Sequence, residues 1–114
     1  MTRVYKITTR GGWAEAERGG AFTGAEIDLK DGYIHLSTAI QAGETARLHF
    51  KGKDDLILVG FDAAAFGDAL KWEPSRGGQL FPHVYGDLPT SAAVSVTPAP
   101  LDKDGLPMVP ALEP

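Results

Sequence analysis

Short apolar runs, separated by glycine, proline and charged residues, divide this chain into many small elements. The run at residues 56–61 is apolar throughout and lies between acidic positions, so it predicts a central strand buried on both faces. Shorter runs at residues 4–8, 33–36, 70–73, 81–85 and 92–97 predict the remaining strands. The pattern is therefore strand-rich.

Two segments carry helical signals. In residues 38–50, Thr38 and Gln41 have the spacing of a capping box, and alanines recur at helical spacing behind them. Residues 13–18 predict a helix of one to two turns, ended by Gly19-Gly20. Residues 22–30 show neither period and are predicted to be irregular, with a short extended piece at 25–29.

These elements predict a single α+β domain over residues 1–98. Residues 99–114 are rich in proline, so we expect an extended tail that is only loosely docked. A chain of 114 residues supports one hydrophobic core.

Composition narrows the function classes. The net charge of −4 argues against general nucleic-acid binding, which needs clustered basic residues. Cysteine is absent, which excludes disulfides and thiolate chemistry. The chain shows no apolar span and no signal-peptide core, so a cytoplasmic protein with no membrane partner is expected. The oligomeric state stays open.

The segment Asp31-Gly32-Tyr33-Ile34-His35-Leu36-Ser37-Thr38 is the strongest candidate for a site. It places His35 at a strand end, next to a helix N-terminus that favours an anion or a polarised carbonyl. The alternative is a histidine packed in the strand with both ring nitrogens bonded to backbone groups. Ser37 lacks the glycine-flanked turn of a hydrolase nucleophile.

Two further segments offer polar chemistry. His83 and Tyr85 should share one strand face, although a Phe-Pro segment also commonly fills a core edge. The loop after Trp72 presents Glu73 and Arg76, which could act as acid or base and as an anion-binding group, or could simply be solvated. No histidine spacing typical of a metal site is present, so no metal is predicted.

Several spaced motifs make the chain resemble a small bacterial family known as domain of unknown function 952. The resemblance spans nearly the whole chain. The matching motifs are Tyr5-Lys6-Ile7, Trp13, the segment from Asp31 to Thr38, Gln41, Trp72-Glu73, Arg76-Gly77-Gly78 and Phe81-Pro82-His83-Val84-Tyr85-Gly86.

A more distant likeness concerns the ADP-ribosyltransferase superfamily, including the RNA 2′-phosphotransferases. Gly32-Tyr33-Ile34-His35-Leu36-Ser37 resembles the second-strand segment that stacks on nicotinamide in that superfamily. The resemblance implies an ADP-ribosyltransferase-like α+β fold with a small split sheet, two helices and a cleft floored by His35. It also implies that the strand at Leu56 pairs with the strand at Tyr33 or the strand at Phe81.

The functional hypothesis follows from this likeness. It is binding of NAD, or of another small-molecule nucleotide, with ADP-ribosyl or glycosidic transfer as the reaction. The catalytic candidates are His35, Glu73 and His83, and the ligand-binding candidates are Ser37, Trp72, Arg76 and Tyr85; these residues are expected to converge on one pocket.

A competing hypothesis is a non-catalytic module that binds a small metabolite or a protein through the same fold. It is motivated by two departures from the superfamily pattern. Residues 5–9 of the first strand include no histidine or arginine, and no glutamate near Phe81 matches the transferase glutamate.

Overall fold

The computed structural model describes residues 2–114 and is a small α+β fold. Its three helices are α1 (Arg10–Gly19), α2 (Glu26–Asp31) and α3 (Ala39–His49). Its strands are β1 (Arg3–Thr9), β2 (Ala21–Phe22), β3 (Ile34–His35), β4 (Leu56–Asp62), β5 (Leu70–Pro74), β6 (Leu80–Val84), β7 (Leu88–Pro89) and β8 (Ala93–Pro98). Short 3₁₀ turns at Ala63–Ala69, Arg76–Gly78 and Thr90–Ala92 connect several of them.

The strands form antiparallel sheets. One has the order β1-β4-β8, a second has the order β3-β6-β5, and β2 pairs with β7. As predicted, β4 is a central strand, and residues 56–61 are all buried.

The expected pairing of β4 with β3 or β6 is wrong, because β4 pairs with β1 and β8 instead. The reason is that β4 has seven residues whose backbone N–H and C=O groups need partners along both edges, and β1 pairs with all seven whereas β8 pairs with five. Ile57, Val59 and Phe61 face one core with Trp13, whereas Leu56 and Leu58 belong to a second core. β3 has only two paired residues, and β6 is already paired along both edges, with β3 and β5.

Helix α3 begins as the sequence predicted. Thr38 Oγ1 accepts the backbone N–H of Gln41 at 3.2 Å, and Gln41 Oε1 accepts the backbone N–H of Thr38 at 3.1 Å. The same glutamine donates through Nε2 to the carbonyl of Leu80 at 2.8 Å. The capping box is therefore confirmed, and it also ties α3 to β6.

Helix α2 was not predicted: residues 22–30 were expected to be irregular or extended, and residues 2–114 contain three α-helices where two were expected. Asp28 Oδ2 accepts the backbone N–H of Ala25 at 2.8 Å, and Gly32 ends the helix with φ of 86°. The capping residue is an alanine, so the usual N-cap signal is missing.

The C-terminal segment is packed against the domain, which corrects the expectation of a loosely docked tail. Ala99 is fully buried, and Leu112 packs against the second core. The hydroxyl of Tyr5 donates to the carbonyl of Glu113 at 2.6 Å. The prolines keep the segment irregular, but its apolar residues still cover the face of β1 and β4.

Replacing either of two glycines with alanine is expected to change the free energy of unfolding, and in opposite directions. A methyl group at Gly60 would lie 2.3 Å from Ser95 Oγ and 3.0 Å from Tyr5 Cε1, so Gly60→Ala should lower the free energy of unfolding by roughly 1–3 kcal/mol. Gly43 lies within α3 with no such neighbour within 4 Å, so Gly43→Ala should raise it by about 0.5–1 kcal/mol. Urea denaturation of both variants measures this, and equal signs would contradict it.

Candidate functional site

A cleft of about 490 Å³ opens between the two three-stranded sheets. Its walls come from β1, the segment after β3, the last turn of α3 and the turn between β5 and β6. An apolar and aromatic surface makes up much of the lining, from Ile7, Ile27, Leu36, Phe50 and Phe81. This combination of a concave apolar surface with few polar groups is typical of small-molecule sites.

The charged side chains that line the cleft are all basic or histidine. They are Lys6, His35, His49 and Arg76, and the lining residues include no aspartate or glutamate. In a chain with a net charge of −4, this distribution is uneven. The cleft therefore favours a ligand with a negatively charged group.

Arg76 is held at the cleft by two contacts. Its guanidinium carbon lies 5.0 Å from the centroid of the Phe81 ring, and its Nη2 donates to Thr45 Oγ1 at 3.3 Å. Glu44 is the nearest carboxylate, at 3.9 Å from Nη2, and its side chain is mostly exposed. An exposed pair at this distance is weak, so Arg76 can exchange it for an anionic ligand.

Ser37 lies beside this group. Its backbone pairs with that of Tyr5, through N–H donors in both directions at 2.7 and 2.9 Å. Its hydroxyl is 3.4 Å from Thr45 Oγ1, which is the atom that Arg76 also contacts. Ser37, Thr45 and Arg76 thus form one polar corner of the cleft.

Asp28 organises the opposite wall. Its side chain is buried and accepts four donors: Lys6 Nζ at 2.8 Å, Ala25 N–H at 2.8 Å, His35 N–H at 3.0 Å and His35 Nδ1 at 2.6 Å. Lys6 Nζ also donates to the carbonyl of His35 at 3.1 Å. Asp28 therefore joins β1, α2 and β3 at one point.

The electrostatics of this wall follow from its contacts. Burial alone would raise the pKa of Asp28, but the hydrogen bond from His35 and the charge of Lys6 outweigh it and hold this pKa well below its usual range. Burial lowers the pKa of Lys6, and the adjacent carboxylate partly offsets the effect. Asp28 is therefore ionised at all ordinary pH values.

His35 contacts a second carboxylate through its other nitrogen, since Nε2 lies 2.9 Å from Asp31 Oδ2. About 30% of the His35 side chain is exposed, and it faces the cleft. Its two ring nitrogens are bonded to carboxylates, whereas the alternative from sequence had them bonded to backbone groups.

His83 lies directly opposite His35 in the β3–β6 pair, with ring centroids 5.4 Å apart. Its Nδ1 is 2.8 Å from Glu73 Oε1, and the same oxygen accepts the hydroxyl of Tyr85 at 2.8 Å. These two hydrogen bonds lower the pKa of Glu73, while that of Tyr85 is raised mainly by its bond to Glu73.

The ring of Tyr33 covers this pair. Its centroid lies 4.2 Å from that of His83, 4.7 Å from that of His35 and 5.2 Å from that of Tyr85. Burial raises the pKa of Tyr33, and Asp31 and Glu73 add to this effect. His83 is 3% exposed beneath it.

Most of the residues selected from sequence come together in two adjoining groups. His35, Ser37 and Arg76 line the cleft, while Glu73, His83 and Tyr85 form the hydrogen-bonded group next to His35. Trp72 does not join them. It pairs with Pro82 and so points to the opposite sheet face from Glu73 and Phe81, because side chains alternate along a strand.

Sequence reasoning did not select several residues of this site. Lys6, Asp28, Asp31, Tyr33 and Thr45 all contribute, and only Asp31 and Tyr33 lie in the segment that was singled out. The available signal for Lys6 was its position among the apolar residues of a strand, because a charge that becomes buried there needs a partner of opposite charge.

Two classes of feature are not found within residues 2–114. No group of three side chains suited to hold a metal ion comes together there. Among the same residues, no helix is both long and apolar enough to cross a bilayer.

Comparison with known proteins gives a consistent result. Residues 7–96 match the model of a family described as protein of unknown function (DUF952). The crystal structure of protein CC0527 from Caulobacter crescentus is similar, with a TM-score of 0.91 and 45% identity over 94% of both chains. Its solution NMR structure gives a TM-score of 0.84 and 46% identity, over 94% of this chain and 92% of that one. Among curated proteins, none matches this chain.

Proposed function

The chain belongs to the DUF952 family, whose description assigns no activity, and from its site we propose that it binds NAD or a related nucleotide in the cleft. One observation carries the proposal. The charged side chains of the lining are all basic or histidine, and they stand beside an apolar and aromatic surface. A nucleotide combines the two matching properties, a flat ring system and a phosphate.

The charges of the lining are not equally available to a ligand. Lys6 and His35 are already bonded to Asp28 and Asp31, which neutralise them. Arg76 has only the weak contact with Glu44. We therefore assign phosphate recognition to Arg76, since a guanidinium offers two parallel donors to phosphate oxygens.

The remaining contacts follow from this assignment. Ser37 and Thr45, next to Arg76, are placed to hydrogen-bond ribose or amide groups, and Phe50 and Phe81 offer apolar surface to the base. Trp72 has no part in this arrangement, and Tyr85 is assigned to holding Glu73 rather than to stacking.

The likeness to the ADP-ribosyltransferase superfamily is part of the proposal. It is supported by a cleft between two small sheets and by the entry of His35 and Ser37 into that cleft. The carboxylate of Glu73 beside His83 offers a substitute for the transferase glutamate that the sequence lacks near Phe81. Transfer of the ADP-ribosyl group, or cleavage of the glycosidic bond, is the reaction that we propose to test.

A second candidate, ligand binding without transfer, is favoured by a specific observation. Glu73 and His83 are not among the residues that line the cleft, and Tyr33 covers His83. Release of nicotinamide from NAD above the buffer background, lost in His83→Gln, would exclude this candidate. Saturable binding with no release would support it.

Titration calorimetry with NAD, NADP and ADP-ribose tests the binding proposal. Arg76→Gln should weaken the affinity roughly 10- to 100-fold, because a hydrogen bond to a charged group contributes about 1.5–3 kcal/mol. Lys71→Gln is the matched control. It also removes one positive charge, but Lys71 lies in β5 and does not line the cleft.

Trp72→Ala is a second control. It removes a large exposed aromatic side chain on the other sheet face, so it should leave the affinity unchanged. Absence of heat with all three ligands at millimolar concentration would remove the proposal. Equal losses in Arg76→Gln and Lys71→Gln would remove the assignment of Arg76.

A further inference from the structure

The two neighbouring histidines of the site differ in the number of carboxylates that they contact. His35 contacts two, Asp28 through Nδ1 at 2.6 Å and Asp31 through Nε2 at 2.9 Å. His83 contacts one, Glu73 through Nδ1 at 2.8 Å. The number of carboxylate contacts indicates how many ring nitrogens of each histidine donate an N–H group.

An ionised carboxylate accepts hydrogen bonds but cannot donate them. Both contacts of His35 can therefore be hydrogen bonds only when both of its ring nitrogens carry a hydrogen. A neutral ring would instead direct a lone pair at one of the two carboxylates, at hydrogen-bonding distance. The two contacts are satisfied together when each ring nitrogen donates an N–H group, one to Asp28 and one to Asp31.

The same reasoning gives the opposite result for His83. Glu73 accepts the Nδ1 hydrogen, so the remaining nitrogen, Nε2, can keep its lone pair. Among residues 2–114, the hydrogen bond found for the His83 ring is the one through Nδ1.

We propose that His35 is a positioning residue that neither gives nor takes a proton, and that His83 Nε2 is the proton acceptor of the site, shielded by Tyr33. This inference deepens the proposed function and rests on it for the substrate class, an alcohol or water that attacks the nucleotide. The oxygen of that group bonds to the ribose carbon C1′ as the bond from C1′ to nicotinamide breaks and releases neutral nicotinamide. The proton of the attacking oxygen passes to Nε2, while Glu73 stays ionised and stabilises the charged ring.

Asp28 and Asp31 then gain a defined role. They hold His35 from the helix α2 side, so its ring stays in one orientation at the cleft wall. Tyr33, which follows α2, lies over both histidine rings.

Diethyl pyrocarbonate tests this on the free protein, because it acylates the unprotonated nitrogen of an accessible imidazole. The chain has three histidines in three environments, and the exposed His49 serves as the internal reference. Peptide mass spectrometry reports each one. In the unmodified sequence His49 should react, while His35 and His83 should be protected.

Three variants separate the protection of His83 by Tyr33 from the protection of His35 by its carboxylates. Tyr33→Ala should make His83 approach the reactivity of His49, whereas Tyr33→Phe, which keeps the ring, should leave His83 protected. Asp31→Asn should make His35 reactive, because an amide can donate to Nε2 and leave the ring neutral. His83 reacting equally in the parent chain and in Tyr33→Ala would overturn the shielding role.

Ring-nitrogen NMR gives the second readout and requires no substitution. His35 should show two N–H groups at neutral pH, and His83 should show one, on Nδ1. A single ring hydrogen on His35, or a protonated Nε2 on His83, would overturn the assignment. Neither experiment contains a nucleotide, so failure of this inference is distinguishable from failure of the proposed binding.

Discussion

Asp28→Asn is expected to lower the free energy of unfolding by about 3–5 kcal/mol, the usual cost of removing one partner of a buried ion pair. The side chain of Asp28 is 1% exposed and that of Lys6 is 5% exposed, so the charge left on Lys6 would have no access to water. The amide also cannot accept the four hydrogen bonds that the carboxylate accepts now. Urea denaturation followed by circular dichroism measures the loss.

Asp31→Asn is the matched control. It makes the same chemical change on the same helix, but Asp31 is 35% exposed and contacts His35 alone. Loss of the Asp31 carboxylate should lower the free energy of unfolding by about 1 kcal/mol or less. Comparable losses in the two variants would contradict the central role of Asp28.

The double variant Asp28→Asn/Lys6→Met gives a further check. Removing both charges together should recover part of the stability lost in Asp28→Asn, because no uncompensated charge then remains buried. The coupling is read from the four corners of a double-mutant cycle. Strictly additive losses would mean that Lys6 and Asp28 do not act as a pair.

The elements that could be predicted from sequence are those whose signals are local. The continuous apolar run of β4 and the Thr38–Gln41 capping box lie within a few residues, and both are confirmed. Helix α2 was missed because its first turn is satisfied by Asp28, a residue inside the helix, and its cap is Ala25. Local rules for helix starts do not cover that arrangement.

The partners of β4 could not be predicted, because strand pairing depends on contacts between elements that are far apart in sequence. The sequence shows that β4 is apolar on both sides, but not that the C-terminal segment would complete its second layer. The buried position of Ala99 and the contact between Tyr5 and Glu113 join residues about 100 positions apart. No local pattern reports such a contact.

The candidate site shows the same division between residues that local patterns identify and residues that only the folded structure brings in. Placing His35 and His83 at strand ends was sufficient to identify them as candidates, and the structure pairs them across β3 and β6. Glu73, the partner of His83, was also a candidate, but Asp28 and Lys6 were not identifiable in the same way. Asp28 and Lys6 lie in other elements, and which carboxylate contacts which ring nitrogen decides how each histidine can act.

Acid is expected to destabilise the protein mainly through Asp28. Because the folded pKa of Asp28 is held below its usual range, this carboxylate contributes its full stability above the unfolded value of about 3.9. As the pH falls below that value, Asp28 binds a proton in the unfolded chain but not in the folded chain. The contribution of Asp28 to the free energy of unfolding is therefore lost progressively as the pH approaches the folded pKa. The free energy of unfolding should therefore fall steadily between about pH 5 and pH 2.

Comparing the pH dependence of the free energy of unfolding between variants isolates the contribution of Asp28. In Asp28→Asn/Lys6→Met the dependence of unfolding free energy on pH should be much flatter over the same range, since the titrating group is gone. Glu73→Gln is the control, because the pKa of Glu73 is also lowered, by its bonds to His83 and Tyr85, but its carboxylate is exposed and screened by water. Parallel slopes in the parent chain and the double variant would show that acid acts elsewhere. A flatter slope in the double variant alone would place the acid sensitivity of the fold at the buried carboxylate that also holds His35.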